Sequence, residues 1–441
     1  MAQANAFFDS LRNMWSIPEL RRRLLFSLGM LAIYRLGGHV PTPGVDAHAL
    51  AQLMANNSML GLYDMFVGGN FSRATIFALG IMPYISASII LQVLGTVVPH
   101  LEKLQKEGEE GRRKITQYTR YGTVLISIIQ SYAFSLFLES VKGSAGATVV
   151  AHPGLAFRLV TILTQTTGTI GIMWLGEQIT ERGIGNGISL IIFIGIIARF
   201  PNDLLMTARS VQAGMINWAL ILLAVVAMVA VVAVVVMMTQ AQRKIPVQYA
   251  KRVVGRKTYG GQNTHIPLRV NTAGVIPIIF AQSLIILPGS IASFFPKNDF
   301  LANVASALSH NSPLYVILYA VIIIFFTYFY TAVVLNPEDL AENIRKFGGF
   351  VPGIRPGKKT AEYIDYIMNR ITLPGAFFLA GIAILPDLLV DRFNVTFRFG
   401  GTSVLIVVGV ALDTLQQIES HLLMRHYDGL VKKGKLRGRM R

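Results

Sequence analysis

The sequence predicts an all-α polytopic membrane protein, with ten transmembrane helices in two inverted five-helix halves. Three observations predict it. Only 14% of the 441 residues are charged, against about 25% in an average soluble domain. Apolar runs of about twenty residues, long enough to cross a bilayer as a helix, recur along the chain. Finally, 31 of the 40 Lys and Arg residues fall in the N-terminal arm, the C-terminal tail and alternate connections between those runs, which marks these as cytoplasmic by the positive-inside rule. A span in lipid must satisfy its own backbone, so runs of this length are helices. The net charge of +17 belongs to the connections, and the absence of Cys excludes disulfides, thiol catalysis and Cys-ligated metal.

The chain opens with Phe7, Phe8, Leu11, Met14 and Trp15 at helical spacing, which fits either a short interfacial helix or a frayed arm. Arg21, Arg22 and Arg23 lead into the first span, 24–40. No small-residue cleavage site follows it, only Pro41-Thr42-Pro43-Gly44, so it is not read as a cleaved signal peptide. The other spans are 74–98, 118–138, 155–175, 188–206, 216–238, 273–295, 314–335, 373–390 and 400–415. The third and fourth hold enough Thr, Ser and Gln to face protein or water rather than lipid. Between the first two spans, Met59, Leu62, Met65 and Phe66 share a helical face before Gly68 and Gly69 end the segment. That piece is too short to span, and is either a re-entrant plug or a surface helix.

Basic residues gather in the N-terminal arm, in the connections after the second, fourth, sixth and eighth spans, and in the tail. Both termini are therefore expected in the cytoplasm, which requires an even number of spans. Arg35 is expected to snorkel outward from the first helix. A cut near 207–215 gives halves 1–210 and 211–441 with five spans each, and an odd number inverts the second half. Gly80-Ile81-Met82-Pro83 and Gly274-Val275-Ile276-Pro277 fall in corresponding spans. Each G-x-x-P is expected to bend its helix.

Catalysis finds little support. All eight His lie in connections or near span ends, and no H-E-x-x-H, G-x-S-x-G or Walker motif occurs. No enzyme activity, metal or cofactor is expected. Gly183-Ile184-Gly185-Asn186-Gly187 lacks the Lys-Ser/Thr of a phosphate loop and reads as a tight turn. Asp413 and Glu419 are placed near the cytoplasmic end of the last span, not as a catalytic pair. The alternative reading, a five-plus-five secondary transporter, would put an ionisable coupling group at mid-depth, and almost none is found there. The central spans carry Ile with scattered Ser, Thr, Asn and Gln instead. An Ile-lined constriction blocks water and ions by dewetting while staying deformable. The connections 239–270 and 336–371 each hold a Pro/Gly-punctuated turn, one with Lys251, Arg252, Arg256 and Lys257, the other with Arg355 between two prolines. Arg on such a turn suits phosphate or carboxylate. A macromolecular partner, ribosomal RNA or an acidic protein surface, is expected there beyond attraction to anionic lipids.

At these residues the chain resembles the SecY/Sec61-alpha family, channel subunits of the Sec protein translocase. The matching stretches are PTPGVD (41–46), FSRATIFALGIMPYISASII (71–90), EGEEGRRKITQYTRYGT (107–123), MWLGEQITERGIGNGISL (173–190), THIPLRVNTAGVIP (264–277), FVPGIRPGKKTAEYI (350–364) and FGGTSVLIVV (399–408). They follow in order over nearly the whole chain. The resemblance implies a protein-conducting channel that passes unfolded preproteins and releases transmembrane segments laterally into lipid, with the two halves around a central pore. By motif position it implies a pore ring of Ile81, Ile85, Ile192, Ile279 and Ile406, and a plug at 59–69 containing Leu62, Met65 and Phe66. It implies a lateral gate with Ser86, Gln130 and Asn271, and docking through Lys251, Arg252, Arg256, Lys257 and Arg355. The implied partners are the small subunits SecE and SecG, the SecA ATPase motor, the ribosome, and signal peptides and nascent chains. The implied location is the bacterial cytoplasmic membrane.

Overall fold

The computed structural model describes residues 17–47, 49–50, 63–64, 67–140, 149–214, 217–249, 252–254, 257–259, 263–294, 303, 307, 312–393 and 401–433. In chain order the elements are α1 (Pro18–Gly37), α2 (Met82–Val97), α3 (Pro99–Lys106), α4 (Glu109–Ser140), α5 (Leu155–Arg182), α6 (Gly187–Ile197), α7 (Phe200–Gln212) and α8 (Trp218–Gln240). Four strands follow: β1 (Gln242–Tyr249), β2 (Arg252–Val254), β3 (Lys257–Tyr259) and β4 (Asn263–Arg269). The rest are α9 (Ile276–Phe294), α10 (Pro313–Val334), α11 (Pro337–Lys346), β5 (Gly349–Phe350), α12 (Lys358–Phe393) and α13 (Gly401–Lys433). They form two compact units, one of Met1–Pro201, Ile286–Ala305 and Val410–Arg441, the other of Asn202–Ile285 and Ser306–Gly409.

The helical class holds. Among the described residues, seven helical stretches are long and apolar enough to cross a membrane. An eighth results if α2 and α3, bent by 103° at Val98 and Pro99, make one span. The bend has a local cause: Val98 is extended and Pro99 starts a new helix. The fifth expected span divides into α6 and α7, with a turn at Ala198 and Arg199. The ninth and tenth expected spans are parts of much longer helices, since α12 begins at Lys358 and α13 runs to Lys433. Hydropathy marks only the apolar stretch of such helices and misses their polar extensions.

The two G-x-x-P motifs start helices instead of bending them. Gly80 has φ +57° and Gly274 φ +63°, a left-handed conformation that glycine adopts without the Cβ penalty. α2 and α9 each begin two residues later. Pro83 and Pro277 then sit in the first turn, where a missing N–H costs nothing. The second expected span therefore loses 74–81, which form turns.

In the first unit, α4 and α5 make a long antiparallel pair. Arg120 grips Glu177 with two bonds of 2.9 and 2.8 Å. Toward the opposite end, Arg158 grips Glu139 at 3.0 and 2.7 Å, and the Gly154 N–H donates to the same carboxylate. Between these clamps Ser127, Gln130 and Ser131 of α4, and Thr161, Gln165 and Thr169 of α5, are all buried. The polar faces expected to avoid lipid do so.

In the second unit the 239–270 connection is a sheet. β1 pairs antiparallel with β4, Ile245 opposite Ile266, and β5 adds to the other edge of β1 through Gln248 and Tyr249. From Lys244 on β1 alternates, burying Ile245 and Val247 while Lys244 and Pro246 face out. Pro246 is tolerated because β5 pairs with β1 only beyond it. Ile245, Val247 and Leu268 pack with Ile344, Val351, Ile364 and Met368, so sheet, α11 and α12 share one core. Truncating Ile364, fully buried in that core, to Ala should cost about 2–5 kcal/mol locally. Hydrogen exchange should then quicken in β1 and β4 and stay unchanged in α4 and α5. Unchanged exchange in the strands would remove α12 from the sheet's support.

Candidate functional site

The stretch up to residue 81 leads into α2, and among its described residues 63–64 and 67–81 only the first two are helical. Three other elements hold it. From α1, Tyr34 Oη donates to Val67 O at 3.3 Å and Arg35 Nη1 to Gly68 O at 3.2 Å. From the turn after α6, Arg199 Nη1 reaches Asp64 Oδ2 at 3.1 Å. From α5, Gln165 Nε2 donates to both Thr42 Oγ1 and Thr75 O, at 2.8 and 2.9 Å. The segment also holds itself. Asp64 Oδ1 accepts from the Ser72 N–H at 2.8 Å, and Asn70 Nδ2 donates to Val67 O at 2.7 Å. Close approaches require glycine at two places. Gly68 has φ +74°, and a Cβ there would lie 2.8 Å from Gly195 Cα. A Cβ on Gly168 would overlap the Ile76 carbonyl.

The electrostatics fit this packing. The Asp64 side chain is almost fully buried, at 6% exposure, while that of Arg199 is a third exposed. Burial, and then the neighbouring Asp64 charge, push the Tyr63 phenol above its ordinary range. Tyr63 therefore stays a donor, to Leu79 O at 3.2 Å. The Arg35 guanidinium, expected to snorkel outward, has an acceptor in the Gly68 carbonyl.

Ile81, Ile85, Ile192, Ile279 and Ile406 are all buried. Ile81 caps α2 and Ile85 lies one turn along it. Ile192 is in the second turn of α6. In the second unit a Cβ on Gly409 would overlap Val275 Cγ1, so α13 packs against the start of α9. Ile406 and Ile279 lie within a turn of that contact. Leu62, Met65 and Phe66 fall outside the described residues, as do Lys251 and Arg256.

Ser86 on α2 and Gln130 on α4 are buried in the first unit. Asn271, in the second unit, donates through Nδ2 to Gly274 O at 3.0 Å and so braces the turn before α9. Neither Gln130 Oε1 nor Asn271 Oδ1 has a hydrogen-bond partner among the described residues. Arg252 lies on β2 and Lys257 on β3, opposite ends of a small hairpin. Arg355 is exposed on the turn between β5 and α12, and its carbonyl accepts from Thr360 Oγ1 at 2.9 Å.

Comparison with known proteins decides the family. The family model for SecY matches residues 75–415. The chain belongs to the SecY family. It is 49% identical over 427 residues to "Protein translocase subunit SecY" of Escherichia coli (strain K12), covering 96% of both chains. To the subunit of the same name from Aquifex aeolicus (strain VF5) it is 46% identical, covering 96% of this chain and 100% of that one. Among solved structures it resembles "The structure of a protein conducting channel", with TM-score 0.67 and 17% identity over 93% of this chain and 96% of that one. It also resembles "Sec61 in the Canine ribosome-channel complex from the endoplasmic reticulum", with TM-score 0.63 and 16% identity over 93% and 96%. At those identities the solved structures bear on the fold alone.

Within this SecY-family fold, sequence reasoning missed the ties of the 63–81 segment: Asp64, Arg199, Arg35 and Gln165. A signal was available. Asp64 is an acid inside an apolar stretch, and such a charge needs a partner. Its partner lies 135 residues away, which no local spacing could reveal. Replacing Asp64 with Leu should lower the exchange protection of the Ser72 amide about tenfold or more, as expected for losing a charge-assisted hydrogen bond of about 1.5–3 kcal/mol. Unchanged protection would mean that Asp64 does not hold this turn.

Proposed function

We propose that the chain is the central protein-conducting channel of a bacterial Sec translocon, passing unfolded preproteins across the inner membrane and releasing apolar segments sideways into lipid. The observation that carries this reading is the clasped, non-helical segment 63–81. Such backbone is tolerated in a membrane protein only where protein buries it or a water-filled cavity adjoins it. A segment fixed to α1, α5 and the end of α6 meets that condition and anchors the plug, 59–69, that closes the pore.

In this reading Ile81, Ile85, Ile192, Ile279 and Ile406 form the constriction, and Ser86, Gln130 and Asn271 line the lateral gate. Ten spans in halves 1–210 and 211–441 are supported by the matched helix starts at Gly80 and Gly274. Both termini are cytoplasmic, in keeping with the charge sorting. The sheet with its Arg252 and Lys257 hairpin and the Arg355 turn then face the cytoplasm as a docking platform for the SecA motor or the ribosome, with Lys251 and Arg256 alongside. SecE and SecG complete the membrane assembly. The resemblance to a channel named in a ribosome complex supports the ribosome as partner. The chain does no chemistry itself, and the motor or the elongating ribosome supplies the energy. The transporter alternative lacks a mid-depth coupling residue.

Two outcomes test this. Replacing the five Ile with Gly should raise the ion conductance of the resting channel in planar bilayers, because a widened, wettable constriction no longer excludes water. An unchanged leak would reject the ring. Arg355→Glu should slow motor- or ribosome-driven translocation in proteoliposomes about tenfold, equivalent to about 1.4 kcal/mol of docking. Wild-type rates would reject the platform.

A further inference from the structure

A polar cleft of about 370 Å³ lies within the first unit, between the start of α6 and the middle of α13. Its size falls in the range of ligand pockets, about 300–1,000 Å³. Asn186 and Ser189 line one side, and Asp413, Thr414, Gln417 and Ser420 the other.

The cleft is not an anion site, although it adjoins a helix N-terminus. The first amides of α6 are already used: those of Ile188 and Ser189 donate to Asn186 Oδ1, and that of Gly187 to Thr180 Oγ1. Asp413 would also repel an anion. What remains is a set of oriented neutral groups. Asn186 and Gln417 spend their amide oxygens, the latter on the Gly185 N–H at 2.8 Å, and keep their NH2 donors. Thr414 and Ser420 donate their hydroxyl protons to the carbonyls of Val410 and Gln417 and keep oxygen lone pairs as acceptors. Donors and acceptors fixed in this way complement the alternating C=O and N–H groups of an extended peptide.

Position adds to chemistry. On α13, Val410, Asp413, Gln417 and Ser420 follow Ile406 at i+4, i+7, i+11 and i+14, along one helix face. On α6, Asn186 and Ser189 precede Ile192 at steps of three. The α13 wall therefore continues a face that carries a constriction residue. From Val410 to Ser420 the α13 wall runs about 15 Å, the length of four or five extended residues at about 3.3 Å each.

We propose that this cleft is a resting site for polypeptide backbone, which holds a short extended segment of the passing chain by sequence-independent hydrogen bonds before it enters the Ile-lined constriction. The proposal rests on the channel reading above and adds a residue-level contact to it.

The test uses the full chain in proteoliposomes and a preprotein arrested in transit by a tightly folded C-terminal domain. A photoreactive residue is placed at Ser420 in one preparation and at Ile192 in another. Both should capture the arrested polypeptide, and capture at Ser420 should persist when the arrested segment is changed from Gly/Ser-rich to Val/Thr-rich. The pair Thr414→Val with Ser420→Ala should slow translocation of every substrate about threefold to tenfold, the scale of one lost hydrogen bond, without raising resting conductance. Capture at Ile192 alone, capture of lipid or of this same chain at Ser420, or unchanged rates in the double variant would overturn the cleft and leave the channel reading standing. Capture at neither position would overturn both.

Discussion

Residues 67–81 are irregular backbone ahead of α2, and their peptide groups are satisfied by short turn bonds, by bonds to Val40 and Thr42, and by side chains of other elements. Unpaired, each such group would cost several kcal/mol in a membrane. Much of the first unit is arranged around that constraint. Gln165 donates to the Thr75 carbonyl and to Thr42 Oγ1, Arg35 reaches the Gly68 carbonyl, and Asp64 binds both the Ser72 amide and the Arg199 guanidinium. Two charged groups are brought together where the rest of the packing is apolar. Removing one partner leaves the other uncompensated, which is why such pairs cost far more to break than they contribute when intact.

The same economy of charge runs through the molecule. Ion pairs sit at the ends of the α4–α5 pair, and the buried seam between them uses hydroxyls and amides. The five Ile positions are buried on four separate helices. Many of the remaining basic residues lie on the sheet, its hairpin and the Arg355 turn. A chain that must hold back ions at rest, yet let varied polypeptides pass, needs a neutral and deformable lining. Charge is then free to serve docking.

Much of the helical fold was legible in the sequence, because hydropathy over twenty residues is a strong signal. The ends of α10 differ by one residue from the expected 314–335, and α5 begins at the expected Leu155. The sheet was not legible. β1 is broken by Arg243, Lys244 and Pro246, and its burial depends on α11 and α12, about a hundred residues away. The Gly80 and Gly274 motifs were visible, but their role was not: whether a G-x-x-P bends a helix or starts one depends on a single φ angle. The candidate Ile residues and the Arg355 turn were identified through family resemblance, since a buried Ile has no distinctive pattern. The Asp64–Arg199 pair was invisible because its partners are joined only by the fold.

The central claim is that a half-buried charge pair, Asp64 with Arg199, pins the root of the segment that keeps the pore shut. Single-channel conductance of the full chain in planar bilayers tests it most directly, with Asp64→Arg, Arg199→Asp and the double reversal compared with the parent. The account predicts a silent parent, stochastic openings in each single variant, and a return to silence in the double variant, where the pair is restored with its charges exchanged. Silent single variants, or a double variant that leaks as much as either single one, would contradict it.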